Sequence, residues 1–276
     1  IAVWTGRAAK DKARRAALLR AIADAPMHGL PQRAYDVDTL KINLRSVKSE
    51  RDLGRIEVQM SKIFLDYARD IQTGVLPTSQ IDSEIVRKVP LRSRTSLLAT
   101  LVKSNPKSFM RALPPKSPEY ARLMKAKMEF EKIVGRGGFG PRVAAQSLKP
   151  GASNQSEIQL RNRLIAMGYL KRNAVTSYDD RMRNAVAKFQ RDHGLFTDGV
   201  AGARTMAAIN TSAAARLSQI VVAMERERWT NMDRGKRHVW VNLTDFSAQI
   251  VDNGKVTFQT RSVIGKNQRD RRSPEF

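Results

Sequence analysis

Few residues of this 276-residue chain have the types and spacing that catalysis needs. Cysteine is absent, so the chain holds no thiolate that could attack a carbonyl or bind a metal ion. The three histidines, His28, His193 and His238, are far apart and lack ligand spacing, so we predict no metal and no other cofactor. No other residue offers a nucleophile with a base beside it. We therefore predict no catalytic residue within these 276 positions.

A glycine-rich stretch at residues 135–141 invites comparison with a phosphate-binding loop. Such loops follow a strand, open a helix and carry Lys and Ser/Thr at fixed positions. This stretch instead follows a predicted helix and leads into a Gly-Ala-Ser-Asn linker at residues 151–154. We interpret it as a structural loop.

The charge of the chain indicates an anionic partner. Fifty Lys and Arg residues against 26 acidic ones give a formal net charge of +24. Nucleic acid, an anionic membrane surface and an anionic polymer such as cell wall all attract such a charge. The basic residues are spread along the sequence and aromatics are only 6%, so no nucleic acid is predicted as a partner.

No apolar run has the length of a membrane span, and the first residues show no signal-peptide pattern. We therefore expect that any signal peptide was removed or never included.

The clearest pattern in the chain lies between Ser156 and Asn210. The apolar residues of its longest predicted helix are Met182, Ala185, Val186 and Phe189. They fall at i, i+3, i+4 and i+7, which predicts one buried helix face. This helix should end at His193-Gly194, because glycine readily takes the left-handed conformation that closes a helix. A shorter helical pattern precedes it and another follows a turn at residues 197–202, so we predict three short helices around a very small core.

An ordered set of glycines, apolar residues and polar turn residues runs through this stretch. The set is Leu164, Gly168-Tyr169-Leu170, Asp179, Ala185-Val186, Phe189-Gln190, His193-Gly194-Leu195, Asp198-Gly199-Val200, Gly202, Thr205 and Ile209-Asn210. It closely resembles the peptidoglycan-binding type 1 domain, a three-helix module that attaches cell-wall enzymes to their polymer. The resemblance implies the glycan and the stem peptides of peptidoglycan as partners. Leu164, Val186 and Phe189 are expected only to form the core.

Four residues of this module are candidates for contact with peptidoglycan: Tyr169, Arg191, Asp198 and Arg204. The guanidinium forks of Arg191 and Arg204 suit the carboxylates of stem peptides. The alternative is that both arginines are ordinary surface charge. The positive charge of the whole chain further predicts that binding weakens as salt rises.

The first 135 residues predict a mainly helical platform. The clearest helix, Leu53 to Gln72, carries an apolar stripe and is followed by Gly74 at the position of a C-terminal cap. Weaker patterns predict helices at residues 8–25, 35–44, 93–104, 106–113 and 118–134, with a connecting stretch at 77–90. After the module, residues 213–229 are again helical, with Met224 on the buried face and Glu225 to Arg228 expected in solvent.

The pattern changes to strands near residue 238. Residues 238–243 alternate, residues 248–251 resume as a strand, and Asn253-Gly254 is typical of a hairpin turn. The returning strand is predicted from Val256 to Ile264. These residues should open a β domain.

The segment after residue 224 resembles the entry into the catalytic domain of the large, YcbB-like L,D-transpeptidases. The residues that carry the resemblance are Met224-Glu225-Arg226, Arg228-Trp229, Val239 to Leu243, Phe246, Ile250 to Val256, Thr260 to Lys266 and Ser273 to Phe276. His28-Gly29-Leu30 and Tyr67-Ala68-Arg69-Asp70 also look like the scaffold of that family. The order of scaffold, peptidoglycan-binding module and β-rich catalytic domain is similar from end to end.

The resemblance implies peptidoglycan cross-linking. A cysteine would displace the terminal D-residue of a tetrapeptide stem to form a thioester, and an amine of a second stem would resolve it, joining two diaminopimelate residues. It also implies a Gram-negative periplasm or cell envelope, with membrane proximity through an N-terminal signal or anchor. The Ser-x-Gly-Cys motif of the family is missing here, so we expect the nucleophile outside this chain, which would be C-terminally incomplete. The alternative is a non-catalytic peptidoglycan-binding protein or wall-binding fragment.

The predicted fold class is mainly α: a helical scaffold with a three-helix peptidoglycan-binding module, followed by the first strands of a β-rich catalytic domain. The predicted domains are the helical scaffold (1–153), the three-helix module (154–211), a helix and linker returning to the scaffold (212–235) and the beginning of the catalytic domain (236–276).

Overall fold

The computed structural model describes residues 2–31, 34–35, 37–81, 89–243 and 246–263. The chain forms two compact units. The scaffold unit comprises Ile1–Lys125 and Val221–Phe276, and the insert unit comprises Ala126–Ile220. Residues 126–153 thus belong with the module, since Val143 and Leu148 lie in its core. The sequence analysis had assigned these residues to the scaffold, with the boundary after residue 153.

The described part of the chain is mostly helical, which confirms the predicted fold class. The helices are α1 (Ala9–Ala23), α2 (Val37–Arg45), α3 (Glu50–Thr73), α4 (Thr78–Ile81), α5 (Arg94–Lys103), α6 (Pro106–Arg111), α7 (Pro118–Gly135), α8 (Gln155–Ala166), α9 (Asp180–Asp192), α10 (Ala203–Ile209) and α11 (Ala213–Trp229). A 3₁₀ helix follows α1 at Ala25–His28. The short α4 lies in the stretch predicted as a connection.

Helix α3 shows how the sequence defines its own helix ends. The Ser49 hydroxyl accepts from the backbone N–H of Asp52, and the Asp52 carboxylate accepts from the N–H of Ser49, so the two residues form a capping box. At the other end Gly74 is the C-cap, at the predicted position, but its φ of 90° and ψ of 160° lie outside the left-handed helical region. Between them the apolar stripe is buried, with Phe64 in ring contact with Trp4 and Phe109 at centroid distances of 5.6 and 6.1 Å.

Carboxylates hold two bends of the backbone in the scaffold unit. Glu57 accepts from the N–H groups of residues 3, 4 and 5 at 2.5 to 3.2 Å, so these donors are satisfied without a helix or strand partner. Glu225 accepts from the N–H groups of Val75 and Leu76 at 2.6 and 2.8 Å. Two glutamates thereby satisfy five backbone donors of this unit.

The prediction that Glu225 to Arg228 are in solvent is wrong for two of these residues. Glu225 is 7% exposed and Arg228 is 1% exposed. They form an ion pair at 2.8 Å, and the Arg228 guanidinium also donates to the carbonyl of His28 and to the hydroxyl of Tyr120. These partners come from distant parts of the sequence, so the helical periodicity of α11 could not reveal them.

The C-terminal strands of the scaffold unit form an antiparallel sheet in the order β1 (Arg237–Asn242), β2 (Ser247–Asp252) and β3 (Lys255–Arg261). The predicted hairpin turn between β2 and β3 is confirmed, because Asn253 and Gly254 have φ angles of 50° and 78°. Every residue of β3 is exposed. Ile264, the predicted end of this strand, lies outside the described residues.

In the insert unit, α8, α9 and α10 pack around Leu160, Leu164, Val186 and Ile209, each fully buried. Arg163 joins the ends of this core to the glycine-rich stretch. Its guanidinium donates to the carbonyls of Ile209, Thr211, Gly140 and Pro141 at 2.7 to 3.1 Å. The glycine-rich stretch is therefore a structural loop, as predicted.

Among the described helices none is long and apolar enough to cross a membrane. Within the same described ranges, no cluster of His, Asp and Glu side chains could hold a metal ion.

Candidate binding surface of the three-helix module

The candidate surface is built on the C-terminal end of α9. Asp179 caps the start of this helix by accepting from the N–H of Met182, and the apolar face predicted from the sequence is buried. The helix ends at Asp192 with His193 as its C-cap, and Gly194 follows with a φ of 63°, which confirms the predicted left-handed closure. The chain then forms a loop, residues 194–202, that leads into α10.

Gln190 fixes this loop. The residue is 1% exposed, and its side-chain oxygen accepts from the N–H groups of Asp198 and Gly199 at 3.2 and 2.9 Å. Its amide nitrogen donates to the Asp198 carboxylate, the Val200 carbonyl and the Thr205 hydroxyl at 2.9 to 3.1 Å. One buried amide thus uses both its donor and its acceptor sides to hold the loop against α9.

Asp198 belongs to this network. Its carboxylate accepts from the Val200 N–H at 2.8 Å as well as from Gln190. The bonds from Val200 and Gln190 stabilise the anion and lower the pKa of Asp198. The side chain is exposed, so it is charged and reachable, but it also shapes the turn. Its predicted contact with peptidoglycan stays a prediction.

Tyr169 lies against Phe189, the residue of α9 that directly precedes Gln190. Its ring meets Phe189 edge-on at 5.3 Å, and the Lys188 ammonium lies 5.9 Å from its centroid. Burial, followed by the negative charge of Asp192, raises the pKa of Tyr169 to about 12. The hydroxyl is therefore a neutral hydrogen-bonding group at the rim of the module core.

His193 completes this aromatic group. Its ring stacks on Phe189 at 3.9 Å, and Nδ1 lies 2.8 Å from the Phe189 carbonyl. Because a carbonyl can only accept, Nδ1 carries a proton and donates. Burial, together with the nearby Arg216 charge, lowers the pKa of His193. The imidazole is thus neutral near pH 7.

Both candidate arginines are exposed at the two ends of the loop. Arg191 lies in the last turn of α9 and Arg204 in the first turn of α10. The four predicted residues fall into two groups. Tyr169 packs with the rings of Phe189 and His193. Asp198 belongs to the loop, and Arg191 and Arg204 flank it. The surface offers cationic and hydrogen-bonding groups, which can bind an anionic polymer.

Two family models match the chain. Residues 2–126 match the Scaffold domain. Residues 154–209 match the Putative peptidoglycan binding domain. The insert unit contains a peptidoglycan-binding domain. The chain thus joins a helical scaffold domain to a peptidoglycan-binding domain, a combination consistent with YcbB-like proteins. No curated protein matches the chain.

The sequence analysis missed the residue that organises the surface of the peptidoglycan-binding domain. Gln190 was visible only as part of a motif, beside Phe189. Its position next to the apolar face, followed eight residues later by an Asp-Gly turn, is the signal that could have identified it. An amide that accompanies a core face has to find buried partners.

Proposed function

We propose that this chain is the scaffold and wall-binding part of a peptidoglycan L,D-transpeptidase of a Gram-negative periplasm. The observation that carries the proposal is the occurrence, in one chain, of the Scaffold domain at residues 2–126 and the peptidoglycan-binding domain at residues 154–209. The antiparallel sheet after α11 follows the order expected for that family. The peptidoglycan-binding domain supports association with the cell wall.

The cross-linking chemistry would come from outside these residues. The chain contains no cysteine, so the thiolate that forms the thioester would have to be encoded elsewhere in the protein. The role that the described residues can support is binding: exposed arginines at a fixed loop would hold the carboxylates of stem peptides near the enzyme. Binding of this kind raises the local concentration of the polymer.

Wall binding is tested by co-sedimentation with purified peptidoglycan sacculi. We expect the chain to pellet with sacculi at low salt and less as salt rises, because screening weakens charge attraction. The double variant Arg191→Ala/Arg204→Ala should pellet less than the wild type. The matched control is Lys171→Ala/Arg172→Ala, which removes two exposed charges from the same domain. Equal pelleting of the two double variants would argue against a specific role for Arg191 and Arg204.

The transpeptidase activity and its alternative are separated by product analysis. The complete coding region that contains residues 1–276 would be expressed, and muropeptides from sacculi treated with the protein would be separated by mass spectrometry. Cross-links between two diaminopimelate residues, lost when a catalytic cysteine is replaced by alanine, support the proposal. A coding region without any cysteine, together with wall binding, would instead make the protein a non-catalytic peptidoglycan-binding protein.

A further inference from the structure

Phe196 is the exception among the rings of the three-helix module. Within residues 154–211, all of which the structure describes, Tyr178 and Phe189 are 1% exposed, whereas Phe196 is 84% exposed. Single exposed apolar residues are common on protein surfaces, so exposure alone assigns no role. Phe196 differs from such residues because its loop is held by hydrogen bonds on both sides of the ring.

The loop that carries Phe196 is fixed on both sides of the ring. Before it, the N–H of Leu195 donates to the Gln190 carbonyl at 2.8 Å. After it, the Gln190 side chain binds the N–H groups of residues 198 and 199, and the buried Tyr178 hydroxyl donates to the Gly199 carbonyl at 2.8 Å. The ring therefore projects into solvent from an ordered base. A ligand that covers the ring orders little additional backbone, which favours binding.

The inside of the turn is equally constrained. Gly199 has a φ of 72°, and a Cβ there would lie 2.7 Å from Arg183 Cγ and 3.0 Å from the Arg183 carbonyl oxygen. Ala201 continues this segment with paired backbone hydrogen bonds to Leu148 at 2.9 and 3.1 Å. The position of Phe196 is thus set by contacts of the loop with α9 and with residue 148.

We propose that Phe196 stacks on an N-acetylated amino-sugar ring of the peptidoglycan glycan strand. The inference rests on the proposed wall-binding function and adds the glycan as the ligand of this loop. The face of a phenyl ring is electronegative, and one face of a pyranose presents C–H groups, so the two surfaces attract each other. The exposed polar neighbours Thr197 and Asp198 can meet sugar hydroxyl and amide groups, and Arg191 can meet a carboxylate attached to the sugar.

A protein partner fits this surface less well. Stable protein interfaces bury about 800 Å² on each side and place their aromatic anchors within a contiguous dry patch. Phe196 stands instead beside exposed Thr197 and Asp198, with Leu195 partly buried against the core. A single ring surrounded by polar groups matches the size and chemistry of one sugar.

The test uses glycan strands freed of stem peptides by an amidase, labelled at one end and titrated with the whole chain in fluorescence anisotropy. Phe196→Ala should weaken this binding roughly tenfold, within the range of an aromatic anchor. Phe196→Leu keeps an apolar side chain but removes the aromatic face, so it should weaken binding similarly. Phe196→Trp should retain binding. The matched control, Thr176→Ala, changes an exposed threonine of the same domain outside this loop. It should change the affinity by less than about twofold, and thermal unfolding should be unchanged in every variant.

The outcomes separate this inference from the proposed function. If the wild type binds intact sacculi but not peptide-free strands, the stem peptide is the ligand and the inference is wrong, while wall binding stands. Wild-type affinity of Phe196→Ala or of Phe196→Leu for the strands would also overturn it. Failure of the wild type to bind intact sacculi would instead remove the proposed function and this inference together.

Discussion

In each unit, two side chains satisfy several backbone groups that lie outside regular helix and sheet pairing, and the two pairs differ in chemistry. In the scaffold unit, Glu57 and Glu225 are acceptors that collect backbone N–H groups. In the insert unit, Arg163 donates to four backbone carbonyls, and the neutral Gln190 both donates and accepts. Arginines of the scaffold unit also donate to backbone carbonyls, as Arg228 does to that of His28. The contrast is therefore between Glu57 and Glu225 on one side and Arg163 and Gln190 on the other.

The difference follows from which backbone ends each fold leaves without partners. Residues 3–5 and 75–76 lie in bends outside the helices and the sheet, so their N–H groups need acceptors. Ile209 ends α10, and the last turn of a helix leaves carbonyls that need donors. A cationic side chain at a helix C-terminus also suits the helix dipole. The side chain that stabilises a small fold can thus be inferred from the type of backbone group it must satisfy.

The largest effect is expected for Arg228→Ala in the scaffold unit. The variant leaves the carboxylate of Glu225 buried without its cation and should destabilise this unit by about 3–5 kcal/mol. The measurement is denaturant unfolding followed by tryptophan fluorescence, because Trp4, Trp229 and Trp240 all belong to this unit. The control is Arg122→Ala, which breaks an exposed ion pair with Glu119 and should cost less than about 1 kcal/mol. An equal loss of stability in Arg228→Ala and Arg122→Ala would mean that burial does not determine how much an ion pair stabilises this unit.

A somewhat smaller effect is expected for Arg163→Ala in the insert unit. Four carbonyls lose a donor, but solvent can reach some of them, so the loss should be about 2–4 kcal/mol. Amide hydrogen exchange of peptides from residues 154–211 is the suitable measurement, since this unit has no tryptophan. Arg161→Ala is the matched control, because Arg161 lies on the same helix and donates to one backbone carbonyl, that of Val175. Unchanged exchange in Arg163→Ala would mean that the bonds from Arg163 to backbone carbonyls do not stabilise the insert unit.

The sequence predicted those parts of this comparison that depend on local pattern. The apolar faces of α3 and α9, the glycines at 74 and 194 and the Asn-Gly turn could all be found, because periodicity and turn chemistry are properties of neighbouring residues. The four candidate binding residues could be named from the motif, but their grouping could not. Tyr169 packs on Phe189 and Asp198 accepts from Gln190, and only the folded chain shows these separate contacts with α9.

The residues that satisfy the backbone were not predictable in the same way. Arg228 meets Tyr120 across 108 positions, and Arg163 meets Ile209 across 46. Helical periodicity involves only neighbouring residues, so it cannot reveal contacts at these separations. A charged residue in a helix is normally assigned to solvent. The role of Phe196 was also hidden, because an exposed ring carries no periodic signal.

The smallest effect is expected from pH, through His193 in the insert unit. Its folded-state pKa is lowered from the ordinary value of 6.5, so on acidification the unfolded chain takes up the proton first. The contribution of the neutral His193 to the free energy of unfolding is therefore fully present above about pH 6.5. It falls as pH drops below that value toward the folded-state pKa. Hydrogen exchange in residues 154–211 should accelerate between pH 7 and pH 5.5, after correction for the intrinsic rate.

The replacement His193→Gln should remove most of this dependence, because an amide can still donate to the Phe189 carbonyl and does not titrate. The imidazole itself can be followed by NMR titration in the wild type. A pKa at or above 6.5 would show that burial does not govern this ring. Between pH 7 and 5.5 the other polar residues that fix this unit, Arg163 and Gln190, do not change charge, so His193 is the group through which mild acid should act on the binding loop.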